Sequence, residues 1–546
     1  MYRQGAAGKI FDWLRMLYCR MQYVVRTEGA VSAAFKALVG LLTGDSASPV
    51  LWIIFFADLD AAITPRADDM KLAGRVISHL EQADDVGLMS RKMPGLQGKT
   101  DQFFGWCRRN GMTMSVKKTK WMVFGGAARR GEGLVVNRED IGLVKDYKYV
   151  GAWYMSGTGE IYRKHYREKE LAAKAVTGVM FTLEKHIGRL DVAYAIHLYH
   201  AQVEPHLTYG CELTLDTGSH VEALEKAQHS WLRRALGLSR RSSTAPLFVL
   251  SGITPIRFTR AKIMIRYLGY LQNLDAGTLA AAARQDSQQR AKLHQDTHHL
   301  RARMALAALP IGVDVGDDYE KMGDADWVEK TLAQVDEAAQ AWVAECLRAN
   351  KSTAVLGRMM DDKGDVFRRG RTLPAMLLLN VDYRLAMSSL LASEHPLAVN
   401  VLRRPDHSRP RVPRGARLCR FCRLKVEDEV HALLVCTACP GVTTSRRRMW
   451  EEVMRKKDVS PALRDCNRVD DASLTALLTF DAGLGATARH VYTVFEEFRG
   501  AEMYVAPEDS WNRIAAETGH IDEDGTADDA VDEGLDDAEF LHTGLA

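Results

Sequence analysis

The spacing Cys419-x2-Cys422-x8-His431-x4-Cys436 constrains this chain more than any other feature of its sequence. Two cysteines on a tight turn, then a histidine and a cysteine about one helical turn apart, supply the four sulfur and nitrogen donors that tetrahedral zinc favours. The first pair reads as a knuckle, and Glu429 to Val435 as a short helix presenting His431 to it. Such a site stabilises a segment too small to build its own core. Cys439 is a spare thiol three residues on and an alternative to Cys436. The plainer alternative is four buried cysteines brought together by chance.

The remaining five of the nine cysteines, Cys19, Cys107, Cys211, Cys346 and Cys466, are scattered singly. A secreted disulfide framework is denser and more even, so the pattern suits a reducing compartment. The expected location is intracellular, nucleus or cytoplasm. The longest strongly apolar stretch, Pro49 to Leu59, is about half of the ~20 residues a membrane span needs, and no membrane partner is expected. Residues 1–20 are basic and amphipathic without a signal-peptide cleavage pattern; a mitochondrial presequence is the alternative to a domain interior.

The formal charge of +3 is unevenly spread. Residues 521–540 carry ten acids and no base, which leaves +13 on the rest. An acidic block of this kind is expected to be disordered and solvated. Residues 401–450 alone hold twelve Arg or Lys and four Asp or Glu. Arg403, Arg404, Arg409, Arg411, Arg414, Arg417, Arg420 and Arg423 surround the first zinc ligands. Arginine's planar fork suits phosphate, so this segment is predicted to bind nucleic acid in a salt-dependent way.

Local patterns outline the rest. Ile10, Trp13, Leu14, Leu17 and Met21 fall at helical spacing within residues 9–25, and a second apolar helix is predicted over Val50–Leu59. Two short apolar runs, Val76–Leu80 and Val86–Met89, flank Ala83-Asp84-Asp85 and read as a hairpin with acids at its tip. Residues 100–109 read as helix ended by Asn110-Gly111. Strands are predicted at Thr113–Val116 and Lys120–Phe124, and a strand pair around Tyr147–Trp153. Residues 161–275 and 276–350 read as helical, the latter interrupted at Gly312–Asp318, and helix returns at about 446–500.

Adjacent carboxylates at a hairpin tip repel one another unless a cation intervenes. Magnesium prefers such oxygen ligands, and two-metal phosphoryl transfer uses clustered carboxylates. Asp84 and Asp85 are therefore candidate magnesium ligands. The pairs Asp68-Asp69, Asp361-Asp362 and Asp470-Asp471 are as acidic, and most of them are read as solvated loop residues.

The neighbours of Asp84 and Asp85 separate that pair from the others. The segments Gly44-Asp45-Ser46-Ala47-Ser48-Pro49, Ala83-Asp84-Asp85-Val86, Val116-Lys117-Lys118-Thr119-Lys120 and Tyr147-Lys148-Tyr149-Val150-Gly151 occur in that order. Together with Arg108 to Phe124, the series resembles the successive palm motifs of reverse transcriptases from non-LTR retrotransposons. The resemblance implies an RNA-directed DNA polymerase acting on an RNA template and a DNA primer or target. Asp84 and Asp85 would bind magnesium as catalytic residues. Lys118 would face the leaving phosphate, where a cation offsets developing charge. Gly44, Ser48 and Pro49 would open the helix beneath template and incoming nucleotide, with Ser46 or Ser48 as a plain helix cap in the alternative reading. Tyr149 and Gly151 would lie in the turn that steadies the primer end. The helical stretch with His197-Leu198-Tyr199, Val203 to Gly210 and Gln228 to Leu238 resembles the family's thumb, where Arg233 and Arg234 would contact phosphate. The zinc segment is similar to the knuckle that follows the polymerase in many such elements.

The implied fold class is α+β: an incomplete reverse-transcriptase palm, then a mostly helical thumb and a helical C-terminal region with a small zinc knuckle. The expected divisions are residues 1–155 for the partial palm, 156–275 thumb, 276–400 helical connector, 401–445 basic zinc knuckle, 446–505 helical segment and 506–546 acidic tail. Several positions depart from the family pattern: Gln82 stands where an aromatic residue is usual, Thr43 where Gln is common and Ser115 where Asn is usual. The family's first metal-binding aspartate lies on a strand upstream of the helix matched by residues 9–20, and Asp12, on a helical pattern, does not replace it. The expectation is an amino-terminally truncated enzyme with little or no polymerase activity. The competing expectation is a non-catalytic, retroelement-derived zinc protein that binds nucleic acid. Arg404-Pro405-Asp406 resembles the start of an endonuclease motif, but Cys419-Arg420-Phe421 stands where its partner carboxylate belongs, so no nuclease is predicted.

Overall fold

The computed structural model describes residues 5, 7–36, 40–42, 44–157, 160–350, 354–360, 370–405, 409–464 and 469–518. The acidic block at 521–540, Thr43, Asp361-Asp362, Asp406 and Cys466 lie outside them. The fold is α+β with small sheets, and it divides into two compact units: Met1–His165 with Leu274–Asp286, and Tyr166–Asn273 with Ser287–Ala546. No helix among the described residues is long and apolar enough to cross a membrane.

In the first unit the expected helices form at Lys9–Arg20, Ser48–Phe56 and Met93–Arg109. Pro49 sits in the first turn of its helix, where its missing N–H costs no hydrogen bond. Ser48 does not cap that helix; its hydroxyl donates back to the Leu42 carbonyl (2.7 Å) and closes the preceding loop. The helix Lys9–Arg20 has no buried residue.

Strands in this unit pair mostly as separate hairpins. Met70–Leu72 pairs with Arg75–Ile77, His79–Gln82 with Asp85–Leu88, and Asp146–Tyr149 with Ala152–Met155, all antiparallel. A three-stranded sheet sets Glu139–Leu143 between Lys120–Trp121, parallel to it, and Leu134–Val136, antiparallel.

Four details differ from the sequence expectation. The strand expected over Lys120–Phe124 spans only Lys120–Trp121. Asp69, expected to be a solvated loop acid, is 3 % exposed and pairs with the buried Lys99. The run Val76–Leu80 is split between two hairpins: Val76 pairs with Lys71 and Leu80 with Gly87, and Ser78 separates them. Thr113–Val116 forms no strand. Ser115 instead accepts hydrogen bonds from the amides of Lys118 (3.1 Å) and Thr119 (2.9 Å), turning the chain. Met114 and Val116 still pack against the core of Trp121, Leu134, Val136 and Ile141, which accounts for their alternation without a strand partner.

The acidic hairpin is held at its base and along one face. Val86 and Leu88, two residues apart and so on one side of the strand, pack against Phe56, Leu59, Ile63 and Trp106. Trp106 is 2 % exposed, and its indole N–H donates to Asp58 (2.9 Å). Lys99, fully buried on the helix Met93–Arg109, forms an ion pair with Asp69 and donates to the carbonyls of Ser78 and Met89. Those two carbonyls bracket the hairpin, and the Met89 amide donates to Ser78 across the gap (3.1 Å). The segment Leu274–Asp286 joins this unit through Arg75, whose guanidinium donates to the carbonyls of Gly277 (2.6 Å) and Ala276 (3.1 Å).

The second unit is helical, as residues 161–275 and 276–350 lead one to expect. Val221–Leu236, Thr244–Ser251, Ile256–Gln272, His298–Ala307 and Ala325–Ala349 form its first part. Trp231 is completely buried beside Phe181 and Tyr199. Gln228 ties three chain segments together: its amide donates to the Tyr199 hydroxyl (2.8 Å) and the Thr254 carbonyl (3.0 Å), and it accepts from the Ile256 amide (2.8 Å). Arg260 grips Asp216 with two hydrogen bonds, and Tyr166 donates to the same carboxylate. Farther along, Pro440–Met454 and Leu484–Gly500 pack together and carry the segment that holds the cysteine cluster.

Candidate metal centre

The knuckle forms because Leu418 and Val426 bridge as antiparallel neighbours and force the chain between them into a tight turn. Within it the Cys419 amide donates to Lys425 O (2.8 Å) and the Arg423 amide to Cys419 O (2.8 Å). Arg423 adopts the left-handed conformation (φ 57°) that closes the turn. Five residues after Val426, His431 opens a π-helical turn, His431–Val435. The Asp428 carboxylate caps it by accepting from the His431 amide (2.8 Å), and the Cys436 amide reaches back to His431 O (2.8 Å). The wider turn places His431 and Cys436 on the same side.

Donor atoms of Cys419, Cys422, His431 and Cys436 all lie within 4.8 Å of one another. Cys419 Sγ is 3.8 Å from Cys436 Sγ, and Cys422 Sγ is 3.3 Å from His431 Nε2. At zinc–ligand lengths of about 2.3 Å for sulfur and 2.0 Å for nitrogen, a tetrahedron has edges of about 3.8 Å between sulfurs and 3.5 Å between sulfur and nitrogen. The four side chains can therefore hold a zinc ion with little movement. Cys439 points elsewhere, its Sγ 3.7 Å from Glu497 Oε2, so Cys436 rather than Cys439 completes the candidate set. Burial pushes the Cys419 and Cys436 thiols above their ordinary range, and it lowers the His431 imidazole.

Groups around the ligands fix them further. Arg446 donates to the carbonyls of Leu433 (2.8 Å) and Cys436 (2.8 Å). His490 donates from Nε2 to Leu433 O (2.9 Å) while its Nδ1 faces the Ser445 hydroxyl (2.9 Å). Arg420, between the two knuckle cysteines, is buried; it pairs with Glu427 and donates to the carbonyls of Pro396, Phe498 and Ala501. Arg417 is 1 % exposed and donates to Val412 O and Val399 O. Two of the eight arginines expected at phosphate are thus internal braces. Arg404, Arg423 and Lys425 are exposed, with Arg423 over the Tyr504 ring at 4.7 Å.

Asp84 and Asp85 are exposed at the end of the hairpin, where Gln82 pairs with Asp85 and Ala83 takes a left-handed φ of 53°. Among the described residues no third metal-ligating side chain joins them. Burial first, and then the charge of Asp85, push the Tyr149 phenol above its ordinary range. Tyr149 ends one strand of the hairpin whose turn is Val150-Gly151, both with positive φ (44° and 77°), a geometry that suits glycine. Lys118 is exposed in the turn after Ser115. Gly44, with φ 85°, turns the chain ahead of Ser48 and Pro49, and nothing lies within 4 Å of where its Cβ would be.

The other expected phosphate contacts, Arg233 and Arg234, make hydrogen bonds within the protein, and the Arg234 side chain is 51 % exposed. Arg233 donates to the Ser242 carbonyl and hydroxyl. Arg234 lies over the Phe181 ring (4.5 Å) and donates to Phe181 O.

A second cluster escaped the sequence reading. His79 Nε2 is 2.9 Å from Glu81 Oε1 and 3.3 Å from Asp60 Oδ1. The available signal was the alternation of His79 and Glu81 on one strand.

No protein-family model matches this chain, and no curated protein matches it significantly.

Proposed function

We propose that the chain belongs to the reverse-transcriptase lineage of non-LTR retrotransposons, with Asp84 and Asp85 as the magnesium-binding acids of an RNA-directed DNA polymerase centre and a zinc ion held by Cys419, Cys422, His431 and Cys436. The observation that supports this reading is the exposure of Asp84 and Asp85 at the tip of an antiparallel hairpin, at the second place of four palm-like segments that follow one another in order. Two-metal phosphoryl transfer needs metal-bound carboxylates of this kind.

A second reading is favoured by the lack of a third ligand near Asp84 and Asp85 among the described residues. Two carboxylates alone leave two-metal geometry incomplete, so the protein would bind nucleic acid through basic residues and not extend a primer.

Primer extension on an RNA template with magnesium, using the full chain and Asp84→Ala, tests both. Weak extension that disappears in the variant supports the polymerase lineage with an incomplete centre. Duplex binding without extension supports the non-catalytic reading, and failure to bind RNA–DNA duplex overturns both.

A further inference from the structure

We infer that Asp60, His79 and Glu81 form a second metal site, for a first-row divalent transition-metal ion, on the base of the acidic hairpin. The inference stands apart from the polymerase reading and from the zinc centre.

The hairpin register builds the site. His79 is opposite Leu88 and Glu81 opposite Val86, so all four side chains share the face that packs on the aromatic core. Asp60 arrives from the short helix Leu59–Ala62, anchored there by Leu59, which is completely buried. The His79 side chain is 5 % exposed and directs Nε2 at both carboxylates. Its Nδ1 is 2.7 Å from the Ser78 hydroxyl, the outer partner that orients a ligating imidazole.

The three donor atoms lie within 4.8 Å of one another. For metal–ligand lengths of about 2.1 Å, neighbouring ligands stand about 3.0 Å apart on an octahedron and 3.4 Å on a tetrahedron. The separations from His79 Nε2, 2.9 Å and 3.3 Å, span those values. One imidazole with two carboxylates suits manganese, iron or zinc better than magnesium, which prefers oxygen and water. Three ligands leave coordination positions open to solvent, because Asp60 is 89 % and Glu81 33 % exposed. Binding displaces the proton shared between Nε2 and the carboxylates, and no other bond changes.

Manganese binding to the zinc-loaded full-length protein, followed by electron paramagnetic resonance, tests the assignment. One bound Mn2+ that does not depend on Asp84 and Asp85 is expected. It should be retained in Asp84→Asn/Asp85→Asn and weakened at least about tenfold in His79→Gln and in Asp60→Asn. The second substitution lies at the surface and leaves the fold intact, so a loss there does not report unfolding. No bound manganese in the wild type, binding unchanged in both single variants, or binding lost only with Asp84 and Asp85 would each overturn the proposal.

Discussion

Cys419 Sγ stands 3.8 Å from Cys436 Sγ although 17 residues separate them. That separation is the edge of a zinc tetrahedron, and it arises from two local devices, a strand-bridged knuckle and a π-helical turn, neither of which involves the metal. A thiol pair held so close and buried gains by exchanging its protons for zinc. We expect one zinc per chain by elemental analysis, retained in Cys439→Ser and lost in Cys419→Ser and Cys436→Ser. Chelation should lower the melting temperature by at least about 5 °C. Zinc retained after Cys436→Ser but lost after Cys439→Ser would reverse the ligand assignment.

The four candidate metal ligands were legible because a metal site calls for both particular residue types and a particular spacing, and the structure brings the same four side chains together. The hairpin at Asp84-Asp85 was legible because turn residues sit between two apolar runs. What surrounds these features was not. Arg417 and Arg420 carry the same charge in sequence as Arg404, yet the first two are braces for buried carbonyls and a carboxylate. Local charge does not say which arginine folds inward; that depends on Phe498 and Ala501, some eighty residues away. Lys99 was hidden for the same reason. On a helix it reads as a surface residue, and its partners Asp69, Ser78 and Met89 come from three other places in the chain.

Lys99 should matter to stability more than any exposed lysine. Removing one member of a buried ion pair leaves the other charge unpaired, at a cost of about 3–5 kcal/mol. Lys99→Met also abandons the Ser78 and Met89 carbonyls at the hairpin base. We expect the first unfolding transition in urea to shift down by an amount in that range, with partial recovery in Lys99→Met/Asp69→Leu. A shift below about 1 kcal/mol would mean the pair does not anchor the hairpin.

His490 makes the second unit sensitive to acid. It is 2 % exposed, and its burial pushes the imidazole down to about 4, against a weaker opposing pull from the Leu433 carbonyl. Its folded pKa is therefore below the unfolded value, and it is neutral in the native state. Below about pH 6.5 the unfolded chain takes up a proton that the folded chain refuses, so stability falls as pH drops from about 6.5 toward 4, by roughly 3 kcal/mol at most. Thermal unfolding of wild type and His490→Gln between pH 7.5 and 5 checks this. The variant should start less stable and lose less over the interval; equal losses would assign the acid sensitivity to another group.

Exposed and internal cations of the zinc segment should separate in nucleic-acid binding. Phosphate contacts release counterions, and each one removed lowers the slope of log affinity against log salt by about one. Arg404 and Lys425 are exposed, so Arg404→Ala and Lys425→Ala should each weaken RNA and DNA binding and reduce that slope, with the melting temperature unchanged. Arg420 is buried against Glu427 and three carbonyls, so Arg420→Ala should act on stability first, at about 3–5 kcal/mol, through the carboxylate it leaves unpaired. Its salt slope, measured at a temperature where the variant is still folded, should match the wild type. A reduced slope in Arg420→Ala alone would return the buried arginine to the binding surface and reverse the division drawn from the structure.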